Sequence, residues 1–267
     1  MDPRPIGVFD SGVGGLTVFR AMERAVPGET LVYLGDTARV PYGTKSAETV
    51  IRYSLEAARF MKYHDVKMIV VACNTASSVA IEAVERQSGL PVLGVIEPGA
   101  ERAAERSASG AIGVIGTRAT IGSGAYERTI RRHRPEARVT SLPCPLFVPL
   151  AEEGWTDNEI ARQVAQTYLE PLRREGVDTL VLGCTHYPLL KDVIGEVMGP
   201  DVELVDSADS TADAVRGELG RQGMANAADA TGGATPHFFV TDAPAPFQAV
   251  AERFLGRSGL RLEQATL

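Results

Sequence analysis

Ile69-Val70-Val71-Ala72-Cys73-Asn74-Thr75 is an unbroken apolar run that stops at a thiol and two polar residues. Further along, Leu180-Val181-Leu182-Gly183-Cys184-Thr185-His186 has the same form. Short apolar runs bounded in this way read as strands buried on both faces. A second pair, Ile6-Gly7-Val8-Phe9-Asp10-Ser11 and Ile112-Gly113-Val114-Ile115-Gly116-Thr117, keeps the same order and nearly the same separation. Two matched pairs at nearly one offset point to an internal duplication. The chain then reads as two similar α/β halves, each carrying a cysteine at the end of an equivalent strand.

Working outward, strands are expected over 6–9, 30–34, 68–72, 92–96, 111–115, 137–142, 179–182 and 202–205. Between them lie amphipathic stretches over 46–63, 77–87, 120–133 and 157–174. In the last, Ile160, Val164, Tyr168 and Leu172 recur every four residues, one face of a helix. Strands alternating with helices imply βαβ units and mostly parallel sheets. The fold class is therefore α/β, with two similar domains related by a pseudo-twofold repeat. The small, polar, Gly-rich stretch 226–235 reads as a surface loop. It precedes a strand at 237–240 and a helix around 247–255, which are expected to pack back onto the N-terminal half.

The chain has 267 residues, 44% of them apolar and 23% charged, an ordinary globular mix. Its net charge of −7 disfavours a general phosphate-backbone binder. No apolar run approaches the roughly 20 residues that span a bilayer. Met1-Asp2-Pro3-Arg4-Pro5 leads straight into a strand, so no secretory leader is expected. Three cysteines, Cys73, Cys144 and Cys184, are too few and too odd for a disulfide framework. The reading is a cytoplasmic protein with reduced thiols.

In open α/β sheets, ligands bind beyond the carboxyl ends of the strands. Cys73 and Cys184 stand there, each followed by residues that can start a helix, where a positive field would favour thiolate. Either alone reads as a buried small residue; both at repeat-equivalent strand ends read as function. Two thiols in one cleft allow three chemistries: a redox pair, a metal site, or two-base proton transfer. A redox pair more often takes the local Cys-x-x-Cys form, which is absent. Of the four histidines only His186 lies in a motif, so no metal is expected. Two-base transfer needs equivalent groups on opposite faces of one carbon, which a pseudo-twofold repeat supplies.

The first strand ends Asp10-Ser11-Gly12-Val13-Gly14-Gly15. A dinucleotide turn is the rival reading, but Thr17 stands where Gly or Ala is needed and Asp10 would face the pyrophosphate. A carboxylate holding a substrate ammonium fits better. Asp36 reads as a turn or cap residue that could also serve the site, Tyr42 and Gly43 as donors to a carboxylate. His186 could orient or protonate Cys184. Glu152 reads as a solvated helix end, Cys144 between two prolines as structural. None of the four lysines sits in a phosphate-binding context for pyridoxal, so no cofactor is expected.

Together these residues resemble the glutamate racemase family of cofactor-independent amino-acid racemases, from Ile6 to about Asp209. Four blocks carry the likeness: Gly7-Val8-Phe9-Asp10-Ser11-Gly12-Val13-Gly14-Gly15; Gly35-Asp36-Thr37 with Pro41-Tyr42-Gly43; Ala72-Cys73-Asn74-Thr75-Ala76; and Gly183-Cys184-Thr185-His186-Tyr187-Pro188. Aspartate and hydantoin racemases share the two-cysteine scheme but not all four blocks. The resemblance implies interconversion of L- and D-glutamate, supplying D-glutamate for peptidoglycan. It implies that Cys73 acts on D-glutamate and Cys184 on L-glutamate, assisted by Asp10 and His186, with Asp36 and Glu152 as auxiliaries. Ser11, Tyr42, Gly43, Asn74, Thr75 and Thr185 match its substrate-contact positions. Two domains are implied, 1–97 with 209–267, and 98–208, with the active site in the cleft between them. The partner implied is the small substrate, with no nucleic acid and no membrane; a homodimer is the assembly it allows, and inhibition of DNA gyrase by some members is a second role. Thr241-Asp242-Ala243-Pro244-Ala245-Pro246 departs from the family's Gly-Asp turn, a change expected to touch packing near the terminus and not the site.

Overall fold

In the computed structural model, which describes residues 1–226 and 235–267, strands and helices alternate from the start. In chain order they are β1 (Ile6–Asp10), α1 (Leu16–Ala25), β2 (Leu31–Gly35), α2 (Ala47–Tyr63), β3 (Met68–Val71), α3 (Asn74–Ser77), α4 (Ile81–Ser88), β4 (Val92–Gly94) and α5 (Ile96–Arg106). Then follow β5 (Ala111–Gly116), α6 (Arg118–Gly122), α7 (Ala125–His133), β6 (Arg138–Pro143), α8 (Phe147–Glu153), α9 (Glu159–Arg174), β7 (Thr179–Gly183), α10 (Lys191–Met198) and β8 (Glu203–Asp206). The chain closes with α11 (Ser207–Arg221), β9 (His237–Val240), α12 (Pro244–Leu255) and β10 (Leu262–Gln264).

Two parallel sheets result. The first runs β10-β9-β2-β1-β3-β4 and the second β6-β5-β7-β8. Within them, β2-β1-β3-β4 and β6-β5-β7-β8 are the same order, so the repeat read from the sequence is a repeat of topology. The central strands β1, β3, β5 and β7 are wholly buried, which is why their sequences are continuous apolar runs instead of alternating ones. The tail does return to the first sheet: β9 pairs with β2 and β10 with β9. Helix α5 carries the chain from one sheet to the other, and α11 packs on both α1 and α5.

Side-chain caps start several of the helices. Ser46 accepts from the Thr49 amide at 3.3 Å and starts α2; Asn158 accepts from Ala161 at 2.9 Å and starts α9. The expected helix over 120–133 is two helices, because Gly124 at φ +65° turns the backbone into the left-handed region between α6 and α7. The expected strand over 92–96 stops at Gly94, and Ile96 already belongs to α5. The stretch 77–87 likewise divides, its start belonging to the short α3. Most of the Gly-rich stretch 226–235 lies outside the described residues. At its edge, a buried ion pair between Lys67 Nζ and Glu29 Oε2 at 2.5 Å ties the N-terminal segment to the segment that follows α11. Lys67 donates to the Asp2 and Met224 carbonyls, and Glu29 accepts from the Asn226 amide. Among the described residues, no helix is long and apolar enough to cross a membrane.

Candidate active site

In each sheet the strand order reverses between two neighbouring strands, β1 and β3 in one, β5 and β7 in the other. Ligand crevices open at such switch points, at the carboxyl ends of the strands. The residues just beyond these four ends are Ser11, Cys73, Thr117 and Cys184, and all four line one cavity of about 190 Å³. That volume lies below the roughly 300–1,000 Å³ of sites for drug-sized ligands, and it suits a small metabolite, not a dinucleotide. The glycine loop agrees, since the Gly12 amide is already spent on Asp10 Oδ2 at 3.0 Å.

Cys73 is the cap of α3: its Sγ accepts from the Ala76 amide at 3.5 Å and donates to Ser11 Oγ at 3.4 Å. Asn74 and Thr75 therefore form the first turn and do not cap it. The expected thiolate-favouring field is outweighed here. Burial, helped by the charge of Asp10, pushes the thiol up to about 12, against the smaller lowering effect of Ser11 and the Ala76 amide. A four-residue helix supplies too weak a field to offset desolvation. Asp10 itself is buried behind the cavity and does not line it. Burial raises its carboxyl, opposed by the charge of His186 and by backbone amides. Its Oδ1 is buried without a hydrogen-bond partner. Asp10 is thus set beneath Cys73 and Ser11, not where it would meet a substrate ammonium first.

Cys184 has different company. His186 Nδ1 lies 3.8 Å from its Sγ, and His186 Nε2 meets Glu152 Oε1 at 3.0 Å. Burial would lower the imidazole, but its bonds to Cys184 and Glu152, and their charges, override that and raise it to about 10. Residues 187–190 form a 3-10 turn with Pro188 near its start, so Thr185 and His186 stand before that turn and α10 follows it. Cys144 is fully buried, with its Sγ toward the Leu142 carbonyl at 3.8 Å and its thiol pushed up to about 12 by burial. It does not line the cavity.

The two halves close on each other through small residues and hydroxyls. A Cβ on Gly14 would sit 2.5 Å from His186 Cε1, and one on Gly43 would sit 2.8 Å from Thr117 Cβ. Glycine at both places lets the first half touch the second half's site residues. Thr75 Oγ1 meets Thr117 Oγ1 at 3.0 Å and Thr120 Oγ1 at 3.2 Å, and those two are 3.0 Å apart. Thr17 Oγ1 reaches the Thr185 carbonyl at 3.1 Å. From α7, Tyr126 donates to Asn74 Oδ1 at 2.7 Å. Asn74 lines the cavity, and its Nδ2 is a buried donor without a partner.

Of the residues singled out in the sequence, Cys73, Cys184, Ser11, Tyr42, Gly43, Asn74, Thr75, Thr185 and His186 all line the cavity. Asp10, Asp36 and Glu152 do not. Asp36 accepts from the Tyr42 hydroxyl, from Arg39 Nε at 2.7 Å and from Thr241 Oγ1 at 2.8 Å, so it fixes the Tyr42 wall. The tail also reaches this region: the turn at 241–246, expected to touch packing near the terminus and not the site, supports the residue that fixes one cavity wall. Thr241 bonds Asp36, and Phe254 packs on His186 with ring centroids 4.9 Å apart. Thr117, Arg118, Pro41, Thr44, Pro145, Val148 and Pro149 complete the lining and were not foreseen. For Thr117 a signal existed, since it is the repeat partner of Ser11. Among the described residues, no group of three or more His, Cys, Asp or Glu side chains is gathered in the way a metal ion requires.

Comparison with known proteins bears on this arrangement. A family model described as Asp/Glu/Hydantoin racemase matches residues 6–215. A glutamate racemase of Geobacter metallireducens is 59% identical over 253 residues, 95% of this chain and 93% of that protein. The crystal structure of glutamate racemase isoform RacE1 from Bacillus anthracis superposes with a TM-score of 0.94 at 38% identity, covering 100% of this chain and 99% of that one. The glutamate racemase of Francisella tularensis, solved in complex with D-glutamate, gives a TM-score of 0.91 at 38% identity over 100% and 98% of the two chains.

Proposed function

The chain belongs to the Asp/Glu/hydantoin racemase family, and from that premise we propose that it interconverts L- and D-glutamate by passing a proton at Cα between two thiols. The observation that carries this reading is that Cys73 and Cys184, at equivalent strand ends of the two sheets, line one cavity. Racemisation is symmetric between two faces of a carbon, and a duplicated fold offers one base to each face.

In one direction a thiolate removes the Cα proton and the electron pair stays on the substrate, delocalised into its α-carboxylate. The opposite thiol then delivers its proton to the other face of Cα. The enzyme ends with the two sulfurs in exchanged protonation states, ready for the reverse enantiomer. By family likeness Cys73 takes the proton of D-glutamate and Cys184 that of L-glutamate. At neutral pH Cys73 is a thiol in the unliganded protein, so it is set first to donate, and binding of a cationic ammonium nearby is what favours its ionised form. His186 is placed to exchange a proton with Cys184 and to pass charge on to Glu152. The unpartnered Asn74 Nδ2 and the hydroxyls of Thr75, Thr117 and Thr185 suit the substrate carboxylates. All of these groups come from the chain, and no cofactor enters a step. The reading makes this a cytoplasmic enzyme that supplies D-glutamate for peptidoglycan.

Circular dichroism tests the activity directly. Purified protein with L-glutamate and nothing added is expected to drive the ellipticity to zero, at a rate a metal chelator leaves unchanged. A constant signal, or activity lost on chelation and restored by metal, would contradict the reading.

A further inference from the structure

We propose that Phe254, carried by the C-terminal helix α12, is a positioning residue that holds the His186 imidazole between Cys184 and Glu152. The inference rests on the two-thiol reading and assigns the tail a part in it.

His186 is gripped at both nitrogens and on its ring. Nδ1 addresses Cys184 Sγ at 3.8 Å and Thr185 Oγ1 at 3.3 Å, and Nε2 addresses Glu152 at 3.0 Å. The Phe254 ring stands against it at 4.9 Å between centroids and 74° between planes, an edge-to-face pairing. The Cε1 edge is backed by Gly14, where a Cβ would stand only 2.5 Å away. Glu152 cannot fix the imidazole by itself, because its side chain is 46% exposed and a half-exposed ion pair holds its partners loosely. Phe254 is fully buried and cannot move aside without opening the core. The plane of the imidazole, and with it the aim of Nδ1 at Cys184, therefore depends on the aromatic ring.

A second observation points the same way. Arg253, the neighbour of Phe254, donates through Nη1 to the Glu152 main-chain carbonyl. It lies over Gly154, where a Cβ would meet Arg253 Cζ at 2.9 Å, and Gly154 at φ +75° ends α8. One turn of α12 thus grips both members of the His186–Glu152 pair. The tail belongs to the first sheet through β9 and β10, so the first half's last helix sets the acid–base group of the second half's thiol. The titratable groups facing His186 are Cys184 after β7, Glu152 on α8 and Asp10 at the end of β1. Helix α12 presents the Phe254 ring to the imidazole and its nearby charge, the Arg253 guanidinium, to the Glu152 main-chain carbonyl, so the Phe254 substitution changes placement and leaves that charge in place.

The test uses Phe254→Leu in the full chain, which keeps apolar volume and removes the ring. Phe254→Met, a flexible chain for the same space, replaces it if that variant fails to fold. The kcat is expected to fall by about 10- to 100-fold with KM within about twofold, since no substrate contact is removed. The alkaline limb of the kcat profile is expected to move down from about pH 10, because an imidazole that loses its partners returns toward the ordinary value of about 6.5. The His186 Cε1–H resonance, one of four histidines to assign, is expected to show the same fall without turnover. A folded variant with unchanged kcat, pH profile and His186 titration would overturn the proposal, as would a loss confined to KM. The resonance also separates this inference from the reading it rests on. A wild-type protein that does not racemise glutamate defeats that reading, while the His186 titration still decides the role of Phe254.

Discussion

The two thiols occupy equivalent places in two sheets that share one four-strand order, yet their surroundings are opposite in kind. Cys73 has a hydroxyl, one backbone amide and a buried carboxylate behind it. Cys184 has an imidazole that hands on to a half-exposed carboxylate. The differences fall on repeat-equivalent positions. Asp10 of the first half corresponds to Gly116 of the second, and His186 of the second corresponds to Thr75 of the first. The shared backbone supplies the geometry of two bases facing one carbon. The substituted side chains supply the electrostatics, with one thiol held protonated by desolvation and anionic company and the other coupled to a proton carrier. A reaction symmetric in its substrate is thus served by unlike helpers.

The largest effects break the comparison at its base. Cys73→Ala and Cys184→Ala are each expected to lower racemisation by about 10³-fold or more, since every turnover needs one acid and one base. If either variant kept substantial activity in both directions, equivalence of the two thiols would fail.

Next come the helpers. Asp10→Asn and His186→Gln should each cost about 10²-fold in kcat, but in unlike ways. Because the two enantiomers are equal in energy, kcat/KM must change equally in both directions; the difference shows in isotope effects. Substrate deuterated at Cα should give its larger effect from D-glutamate in Asp10→Asn and from L-glutamate in His186→Gln. Identical effects in both variants would mean that each helper serves both thiols.

The pH dependence sharpens the same contrast. His186 is raised to about 10 in the folded protein, so its contribution to stability is whole below about pH 6.5. That contribution is lost as pH rises through about 10. Urea unfolding across this range should show stability falling on the alkaline side, and His186→Gln should flatten that fall. A wild-type curve that rises there would contradict the assigned partners.

The smallest effect is at Cys144, a buried thiol outside the cavity. Cys144→Ala should leave kcat and KM unchanged and cost about 1 kcal/mol of stability, measured by the same unfolding.

The sequence made the strands, the repeat and both site thiols legible because buried parallel strands are continuous apolar runs, and the two repeat-equivalent ones, β3 and β7, lead into a cysteine with polar followers. It hid what depends on distant packing. Nothing near Glu152 indicates that it meets His186, and nothing near Phe254 indicates that a core aromatic from the tail stands on that imidazole. Asp10 was legible as a site residue but not as one set behind Cys73, because depth behind a strand end has no local pattern. The break at Gly124 interrupts an otherwise helical period with one left-handed residue. Strand β10 is three residues long, too short for any periodicity.

The central claim, one thiol on each face of Cα, is tested most directly by racemisation in deuterated water. Early in the reaction the product enantiomer is expected to carry deuterium at Cα while recovered substrate carries little, because the removing base and the delivering acid are different groups. Extensive early labelling of recovered substrate, matching that of product, would show one shared base and contradict the two-thiol account.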